Sequence, residues 1–343
     1  MKRLLNTLYV MTQGAYLKKE GEAVNVLIER QSKLKLPLVS IQSIVCFGDI
    51  MVSPALMGHC TKSGISMCWL SFYGKFIARV EGPVHGNILL RRAQYKITEC
   101  PEKSISIAKA AVAAKIANAR SVLVRALKDH PAMEHAALVD DTQQALKRAV
   151  QRVWRESDID SLRGIEGDAA KSYFGVFNEL ITTQKADFNF SDRNRRPPLD
   201  RVNALLSFIY VMLANDMRSA CEVVGLDPQA GFFHVDRPGR MSLALDLMEE
   251  FRPFFADRLV LSLINLKQVT GKDFEVTGAG AVLLNEKGRK TVVAAYQARK
   301  QDAITHPFLG EEMHIGILML VQAQLLARHL REDLDGYPAF FWR

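Results

Sequence analysis

The 343-residue sequence is long enough for two domains, because single hydrophobic cores rarely grow beyond this size. Hydrophobic residues make up 48% and charged residues 24%, an ordinary globular balance. No apolar run reaches the roughly 18 residues that predict a membrane span. The five cysteines form no CxxC pair, which argues against a disulfide framework or a cysteine zinc site and indicates free thiols in a reducing cytoplasm.

Basic residues are concentrated in the first part of the chain. The formal net charge is +8, but residues 1–128 hold 19 Lys and Arg against 7 Asp and Glu, whereas residues 129–343 hold 26 against 30. This distribution fits a protein that binds a polyanion with its basic part and cations with its mildly acidic part. A solvated surface with a chance asymmetry of charge is the alternative.

The first 85 residues have the pattern of a small β-rich domain. Short apolar runs separated by turn signals predict strands at 5–10, 24–28, 36–41, 44–47 and 65–70. One short helix is expected at 53–62, with Ser53 as its N-cap and Pro54 in its first position.

After Gly86 the pattern becomes helical. Ala-, Leu-, Lys- and Arg-rich segments predict helices at 87–98, 102–128, 132–155, 161–183, 199–224, 242–269, 288–303 and 309–333. The fold class expected is therefore α+β, with a β-rich domain over residues 1–85 and a larger all-α domain over residues 86–343. Because the apolar strands of so short a domain make only a small core, we also expect it to pair with its copy in a homodimer.

A long polar loop at 184–198 interrupts the helices and carries Arg193, Arg195 and Arg196 beside two prolines. Its length indicates either a functional or a mobile segment. Contact with DNA and a plain solvated linker are both consistent with this composition.

Two segments place acids and a histidine within apolar helical sequence. Small residues flank Glu166 and allow a ligand to approach it, although an acid near a helix start is also favoured by the helix dipole. His234 is followed by Asp246, Glu249 and Glu250, and spacings of three and four put Asp246 on the same helix face as either glutamate. Carboxylates so near apolar residues need compensation, for which a divalent cation is one source and solvent at the surface is the other.

Three segments, GIEGDAAKSYF, RPPLDRVNALLSFIY and GLDPQAGFFHVDRPGRMSLALDLMEEFRP, occur in a recognisable order. Together they resemble the universal CRISPR-associated spacer-acquisition integrase family, in particular its subtype I-C-like branch, over essentially the whole chain. The resemblance implies a β-rich dimerisation domain, an α-helical catalytic domain, and a homodimer that assembles with a small ferredoxin-like CRISPR partner. It also implies integration of double-stranded prespacer DNA at the CRISPR repeat.

The resemblance further implies a catalytic metal held by Glu166, His234 and Glu249, with Asp246 as a further acid and Arg237 as a basic residue of the site. Spacing leaves open whether Glu249 or Glu250 faces inward, and whether His234 is a ligand or a general acid. Carboxylates with one imidazole suit Mg²⁺ or Mn²⁺.

Several further residues have expected roles at the site or on DNA. Arg237 or Arg240 is expected to stabilise charge on the phosphate, and Asn203 and Tyr210 match a second inward-facing block. The basic residues expected to contact DNA are Arg91, Arg92, Lys96, Arg193, Arg195, Arg196 and Arg240. The alternatives to an integrase are a non-catalytic helical DNA-binding regulator and a metal-dependent hydrolase of small molecules.

Overall fold

The computed structural model describes residues 6–74, 76–82 and 88–342. By its internal contacts the chain divides into two compact units, Met1–Gly86 and Asn87–Arg343. The start of the first predicted strand and the predicted boundary at 85/86 lie outside the described residues.

In its described residues, the first unit has two four-stranded sheets and one α-helix. Its elements are β1 (Thr7–Val10), β2 (Tyr16–Glu20), β3 (Ala23–Ile28), β4 (Gln31–Pro37), β5 (Ser43–Phe47), β6 (Met51–Val52), α1 (Pro54–Lys62), β7 (Ser66–Leu70) and β8 (Phe76–Val80). One sheet has the order β1-β5-β7-β8, parallel except for β8, and the other has the order β4-β3-β2-β6. Strands β2, β6 and β8 were not predicted, since charged side chains interrupt the apolar pattern of β2 and β8 and β6 has only two residues. The strand predicted at 36–41 overlaps β4 only at its end, because Leu38–Ser40 forms a 3-10 turn.

Local sequence sets the start of α1 as predicted. The side chain of Ser53 accepts a hydrogen bond from the backbone N–H of Leu56 at 3.3 Å, and Pro54 occupies the first helical turn. Leu56 and Cys60 then pack into the core beside Leu17 and Ile44. Burying a large aliphatic side chain of this kind stabilises the unit by about 1.5–3 kcal/mol.

The second unit is mainly helical. Its helices are α2 (Ile88–Thr98), α3 (Pro101–Asp129), α4 (Ala136–Arg155), α5 (Ile159–Gly175), α6 (Arg201–Val224), α7 (Ser242–Met248), α8 (Arg258–Asn265), α9 (Glu286–Lys300) and α10 (Ile315–Leu330). The expectation of an all-α domain was wrong in detail, because two antiparallel hairpins lie between the helices. They are β9 (Phe274–Val276) with β10 (Val282–Leu284), and β11 (Ala303–Thr305) with β12 (Glu312–His314). Strands of three residues are too short to show a period of two in the sequence.

The helix predicted over 242–269 is broken in its middle. Helix α7 ends at Met248, a turn follows, and Arg252–Asp257 forms a π-helical segment that leads into α8. Pro253 has no backbone N–H, and the N–H of Ala256 reaches back five residues to the carbonyl of Phe251 at 3.4 Å. The break falls at Glu249 and Glu250, so their orientations do not follow from the spacing of one continuous helix.

Among the described residues, no helix is both long and apolar enough to cross a bilayer. The five cysteines are free thiols, as the sequence predicted: Cys46, Cys60 and Cys221 are buried, and Cys68 and Cys100 are half-buried.

Candidate active site

The backbone between α6 and α7 wraps around the carboxylate of Asp246. Its Oδ2 accepts hydrogen bonds from the N–H groups of Phe232 and Phe233 at 2.6 and 3.0 Å, and its Oδ1 accepts one from the N–H of His234 at 3.0 Å. Gly231 makes this possible, since a Cβ there would lie 2.8 Å from Oδ2 of Asp246 and 2.7 Å from the side chain of Ser242. The carboxylate is therefore a fixed anchor for the loop.

Asp246 also orients the imidazole of His234. Nδ1 of His234 lies 2.6 Å from Oδ1 of Asp246, a contact in which the ring donates its Nδ1–H to the carboxylate. Nε2 is thereby left with its lone pair and lies 3.8 Å from Oε1 of Glu249. Asp246 was expected to be a further acid of the site, but its oxygens are already used by three backbone N–H groups and the ring. In this geometry it is a positioning residue.

The structure separates Glu249 from Glu250. Glu249 is 2% exposed, and its Oε1 forms an ion pair with the guanidinium of Arg252 at 2.8 Å. Glu250 faces the opposite way, where the Tyr337 hydroxyl and the backbone N–H of Phe340 donate to it at 2.5 and 2.7 Å. Of the two, Glu249 is the one that lies beside His234.

A lysine joins Glu249 to Glu166. Lys115 of α3 forms an ion pair with Oε1 of Glu166 on α5, and its Nζ lies 2.7 Å from Oε2 of Glu249. Burial alone would lower the pKa of Lys115, but the charges of Glu249 and Glu166 outweigh it and raise that pKa above its ordinary value. Burial would likewise raise the pKa of Glu249, yet the charges of Arg252 and Lys115 lower it to about 2. Both carboxylate and ammonium are thus charged at neutral pH.

Lys115 and Arg252 were not assigned to the site from the sequence. Lys115 is one of nine Lys and Arg residues in the basic segment 91–128, but its side chain is only 13% exposed. The available signal for Arg252 was its position three residues after Glu249 within the sequence MEEFRP. For Lys115 it was an isolated lysine in the alanine-rich segment AAVAAKIANA.

A second buried group lies beside this cluster. The hydroxyl of Tyr210 on α6 donates to Oδ1 of Asp257 at 2.6 Å, and the guanidinium of Arg252 stacks 5.0 Å above the Tyr210 ring. Burial raises the pKa of Asp257 to about 6, although the hydrogen bond from Tyr210 and the charge of Arg252 oppose the shift. Tyr210 therefore helps to fix Arg252, which in turn holds Glu249.

The donor set fits a hard divalent cation. Carboxylates from Glu166 and Glu249 meet at Lys115, and Nε2 of His234 lies 3.8 Å from the other oxygen of Glu249. The buried Oε2 of Glu249 accepts no well-directed hydrogen bond even with Lys115 close by. Within the described residues, however, no three or more Asp, Glu, His or Cys side chains are already spaced around a metal position. The ammonium of Lys115 lies between the two carboxylates instead.

An arginine-lined cavity of about 780 Å³ adjoins Glu166 and Lys115. Arg195 and Arg196 line it and are exposed, whereas Arg193 is half-buried and donates to Asn203 Oδ1 at 2.6 Å. The loop that carries these arginines is polar, and a plain solvated linker was one of the two expectations for it. Instead, the buried rings of Phe188 and Phe190 anchor it, and Asn203 bonds its backbone.

The remaining predicted residues lie on other surfaces. A cleft of about 880 Å³ beside His234 is lined by exposed Arg237, and half-buried Arg240 lies close to it on the same loop. On α2, Arg92 and Lys96 are exposed, but Arg91 donates to the carbonyl of Gly225 at 3.3 Å and so has a structural contact as well.

The last residues of the described chain connect α3 to the turn after α7. Asn118, one helical turn beyond Lys115, donates to the carbonyls of Glu250 and Phe340 at 2.7 and 2.9 Å and accepts from the N–H of Trp342 at 2.7 Å. We call residues 337–342 the C-terminal strap. It ties the helix that carries Lys115 to the turn that carries Glu249.

Solved structures share this architecture. The chain superposes on a casposase bound to an integration product with a TM-score of 0.84, 22% identity and coverage of 98% of this chain and 94% of the casposase. A Cas1 protein from Thermotoga maritima gives a TM-score of 0.80 at 23% identity, covering 95% and 97% of the two chains. At these identities the likeness is one of fold.

Sequence relatives are much closer. The model of the family described as CRISPR associated protein Cas1 matches residues 8–298. A CRISPR-associated endonuclease Cas1 of Chlorobaculum tepidum is 51% identical, and one of Rhodospirillum rubrum is 52% identical, each over the full length of both chains. The chain belongs to the Cas1 family of CRISPR-associated endonucleases.

Proposed function

We propose that the chain is a metal-dependent DNA integrase and endonuclease that inserts new spacers into a CRISPR array by phosphodiester strand transfer. The observation that carries the proposal is that Glu166 and Glu249 meet at one buried ammonium, with Nε2 of His234 3.8 Å from Glu249. That meeting point opens onto a cavity lined by arginines. Two carboxylates that can bind a metal ion, next to the arginines of an open cavity, suit a phosphodiester substrate.

In this proposal Glu166, Glu249 and His234 hold Mg²⁺ or Mn²⁺. The ion supplies charge neutralisation at the scissile phosphate and activation of the attacking hydroxyl or water. Asp246 keeps Nε2 of His234 on the side of Glu249, where it would be available to the ion, and Arg252 keeps Glu249 charged and in place. The orientation of His234 favours the role of ligand over that of general acid.

DNA is proposed to reach the site along basic side chains. Arg195 and Arg196 border the cavity beside Glu166, and Arg237 and Arg240 lie near His234. Exposed Arg92 and Lys96 on α2 are proposed to contact phosphates farther away. Such contacts bind all sequences alike and weaken with salt.

The proposed partners are a second copy of this chain, a small ferredoxin-like partner of the Cas2 kind, and double-stranded prespacer and repeat DNA. Support comes from the solved structures of similar fold, which include a casposase bound to an integration product and a Cas6-RT-Cas1–Cas2 complex with a TM-score of 0.82 at 21% identity. We propose a cytoplasmic location and a subtype I-C-like system on the strength of the sequence alone.

A strand-transfer assay tests the proposal. Purified chain and its partner are incubated with duplex prespacer, a repeat-containing plasmid and Mn²⁺ or Mg²⁺. Joined product is expected from the parent, and none from Glu166→Gln or His234→Ala. Asp236→Asn, at an exposed acid two residues from His234, is the matched control and should remain active. DNA binding without any metal-dependent joining or cleavage would favour a non-catalytic regulator instead.

A further inference from the structure

Lys115 is an unusual residue for its surroundings. It lies in α3 between the buried residues Ala114 and Ile116, and its side chain is 13% exposed. An ammonium in such a place costs several kcal/mol unless charges of opposite sign compensate for it. Here the compensation comes from Glu166 of α5 and Glu249 at the end of α7, two side chains that the proposed function assigns to the metal.

The charges in this cluster already balance. Glu166 and Glu249 carry two negative charges, and Lys115 and Arg252 carry two positive ones in direct contact with them. A divalent cation placed between the same carboxylates would add two positive charges within a few ångströms of the ammonium. Because like charges repel strongly where water is excluded, the ion and the ammonium exclude each other from this point.

The side chain of Lys115 also has space to move away from the two carboxylates. It lines the arginine-lined cavity together with Glu166, and its four-carbon side chain can turn toward that opening. Arg252, by contrast, is stacked on Tyr210 and held by Glu249. Both cations line the cavity, but Lys115 has a flexible, unstacked stem and a single compact charge, whereas Arg252 is fixed on the Tyr210 ring.

We propose that Lys115 is the resident counter-ion of the metal site and that the divalent ion displaces it on binding. Lys115 stabilises the paired carboxylates when no ion is bound and, by competing, weakens the affinity for the ion. This inference rests on the proposed metal site and adds to it a residue that sets how tightly the metal binds.

The test is Mn²⁺ binding measured by calorimetry on the full-length protein, together with thermal unfolding with and without the ion. Lys115→Gln removes the charge and keeps a hydrogen-bond donor. The variant is expected to bind Mn²⁺ about 5- to 150-fold more tightly, the usual range of coupling between two binding events. Without Mn²⁺ the variant should unfold at a lower temperature than the parent. Adding Mn²⁺ should raise its unfolding temperature by more than it raises that of the parent.

The matched control is Lys109→Gln, on the same helix, where Nζ contacts only the carbonyl of Trp154 at 3.4 Å among the contacts the structure gives it. It should bind Mn²⁺ like the parent. Unchanged or weaker binding by Lys115→Gln would overturn the proposal. So would a Lys115→Gln protein that stays unfolded at saturating Mn²⁺, since the ion should then replace the lost charge. Equal Mn²⁺ binding by the parent and Glu166→Gln would instead contradict the proposed metal site. That result is distinguishable from a failure of the proposal for Lys115.

Discussion

Asp246 holds Nδ1 of His234 at 2.6 Å and thereby directs Nε2 of the same ring toward Glu249, 3.8 Å away. Three backbone N–H groups fix the carboxylate, so the direction of the imidazole is set by the loop and not by the histidine alone. Fixing the ring in this way keeps Nε2, the nitrogen proposed to bind the metal, on the side of Glu249.

Asp246→Asn is expected to lower metal-dependent DNA cleavage by about 10- to 100-fold, the usual cost of losing a group that orients a ligand. The amide must either turn an NH₂ group toward the N–H groups of Phe232 and Phe233 or give up its contact with His234. Cleavage of branched DNA in Mn²⁺ measures the effect, with Asp236→Asn as the control. Equal activity of the two variants would show that the orientation of the ring does not matter.

Replacement by glutamine is expected to have a large effect on activity at Glu249 and a small one at Glu250. Glu249→Gln removes a carboxylate from the proposed metal site and should abolish detectable strand transfer and cleavage. Glu250→Gln alters contacts to Tyr337 and Phe340 and should leave activity within about tenfold of the parent, because this side chain faces away from His234. Loss of activity in the Glu250 variant alone, with its fold intact, would contradict the assignment.

Asp257 is expected to make the protein less stable as the pH rises from about 4 to 6. Burial raises its folded-state pKa to about 6 from an ordinary value of 3.8, so the folded protein holds a proton that the unfolded chain releases. The stability that this raised pKa contributes is fully present below the pKa of Asp257 in the unfolded chain. It is lost as the pH rises through the pKa of Asp257 in the folded protein. The slope is at most about 1.4 kcal/mol per pH unit.

Urea unfolding of the parent and of Asp257→Asn across this pH range isolates the effect. The amide cannot titrate, so the variant should lack this loss of stability. The free energy of unfolding of the variant minus that of the parent should therefore increase as the pH rises. Parallel curves for the two proteins would mean that Asp257 titrates normally in the fold.

Asn118→Ala is expected to destabilise the protein and weaken Mn²⁺ binding. The substitution leaves the carbonyls of Glu250 and Phe340 and the N–H of Trp342 without this partner, and each buried orphan costs about 1–3 kcal/mol. The C-terminal strap then no longer fixes α3 against the turn of Glu249. Ser121→Ala, one turn further along α3, loses one longer hydrogen bond of 3.3 Å to Trp342 and serves as the milder control. Equal effects of the two would argue against this role for Asn118.

Arg195 and Arg196 are expected to contribute to DNA affinity through phosphate contacts. Replacing both with alanine should weaken binding to all duplex sequences and flatten the plot of log K against log salt by about 0.9 per lost contact. Mn²⁺ binding should not change. The double variant Lys287→Ala/Lys290→Ala, whose lysines pair with Asp273 and Glu286, is the control. An unchanged salt slope would leave these arginines as solvated residues of the loop.

Much of the molecule follows from local sequence. Ser53 and Pro54 set the start of α1, and the segments around Glu166 and His234 together predicted candidate site residues. These features need only neighbours a few positions away, so the sequence contains their physical cause. The division into a strand-rich and a helical part follows in the same way from the period of the apolar residues.

Tertiary structure decided which charges meet. The break after Met248 turns Glu249 toward His234 and Glu250 toward Tyr337, a difference that helical spacing could not resolve because it assumed an unbroken helix. Lys115 meets Glu166 across 51 positions and Glu249 across 134, so its burial depends on how α3, α5 and α7 pack. A buried charge is tolerated only where its partner lies in space, and the identity of that partner is a property of the fold and not of the neighbouring sequence.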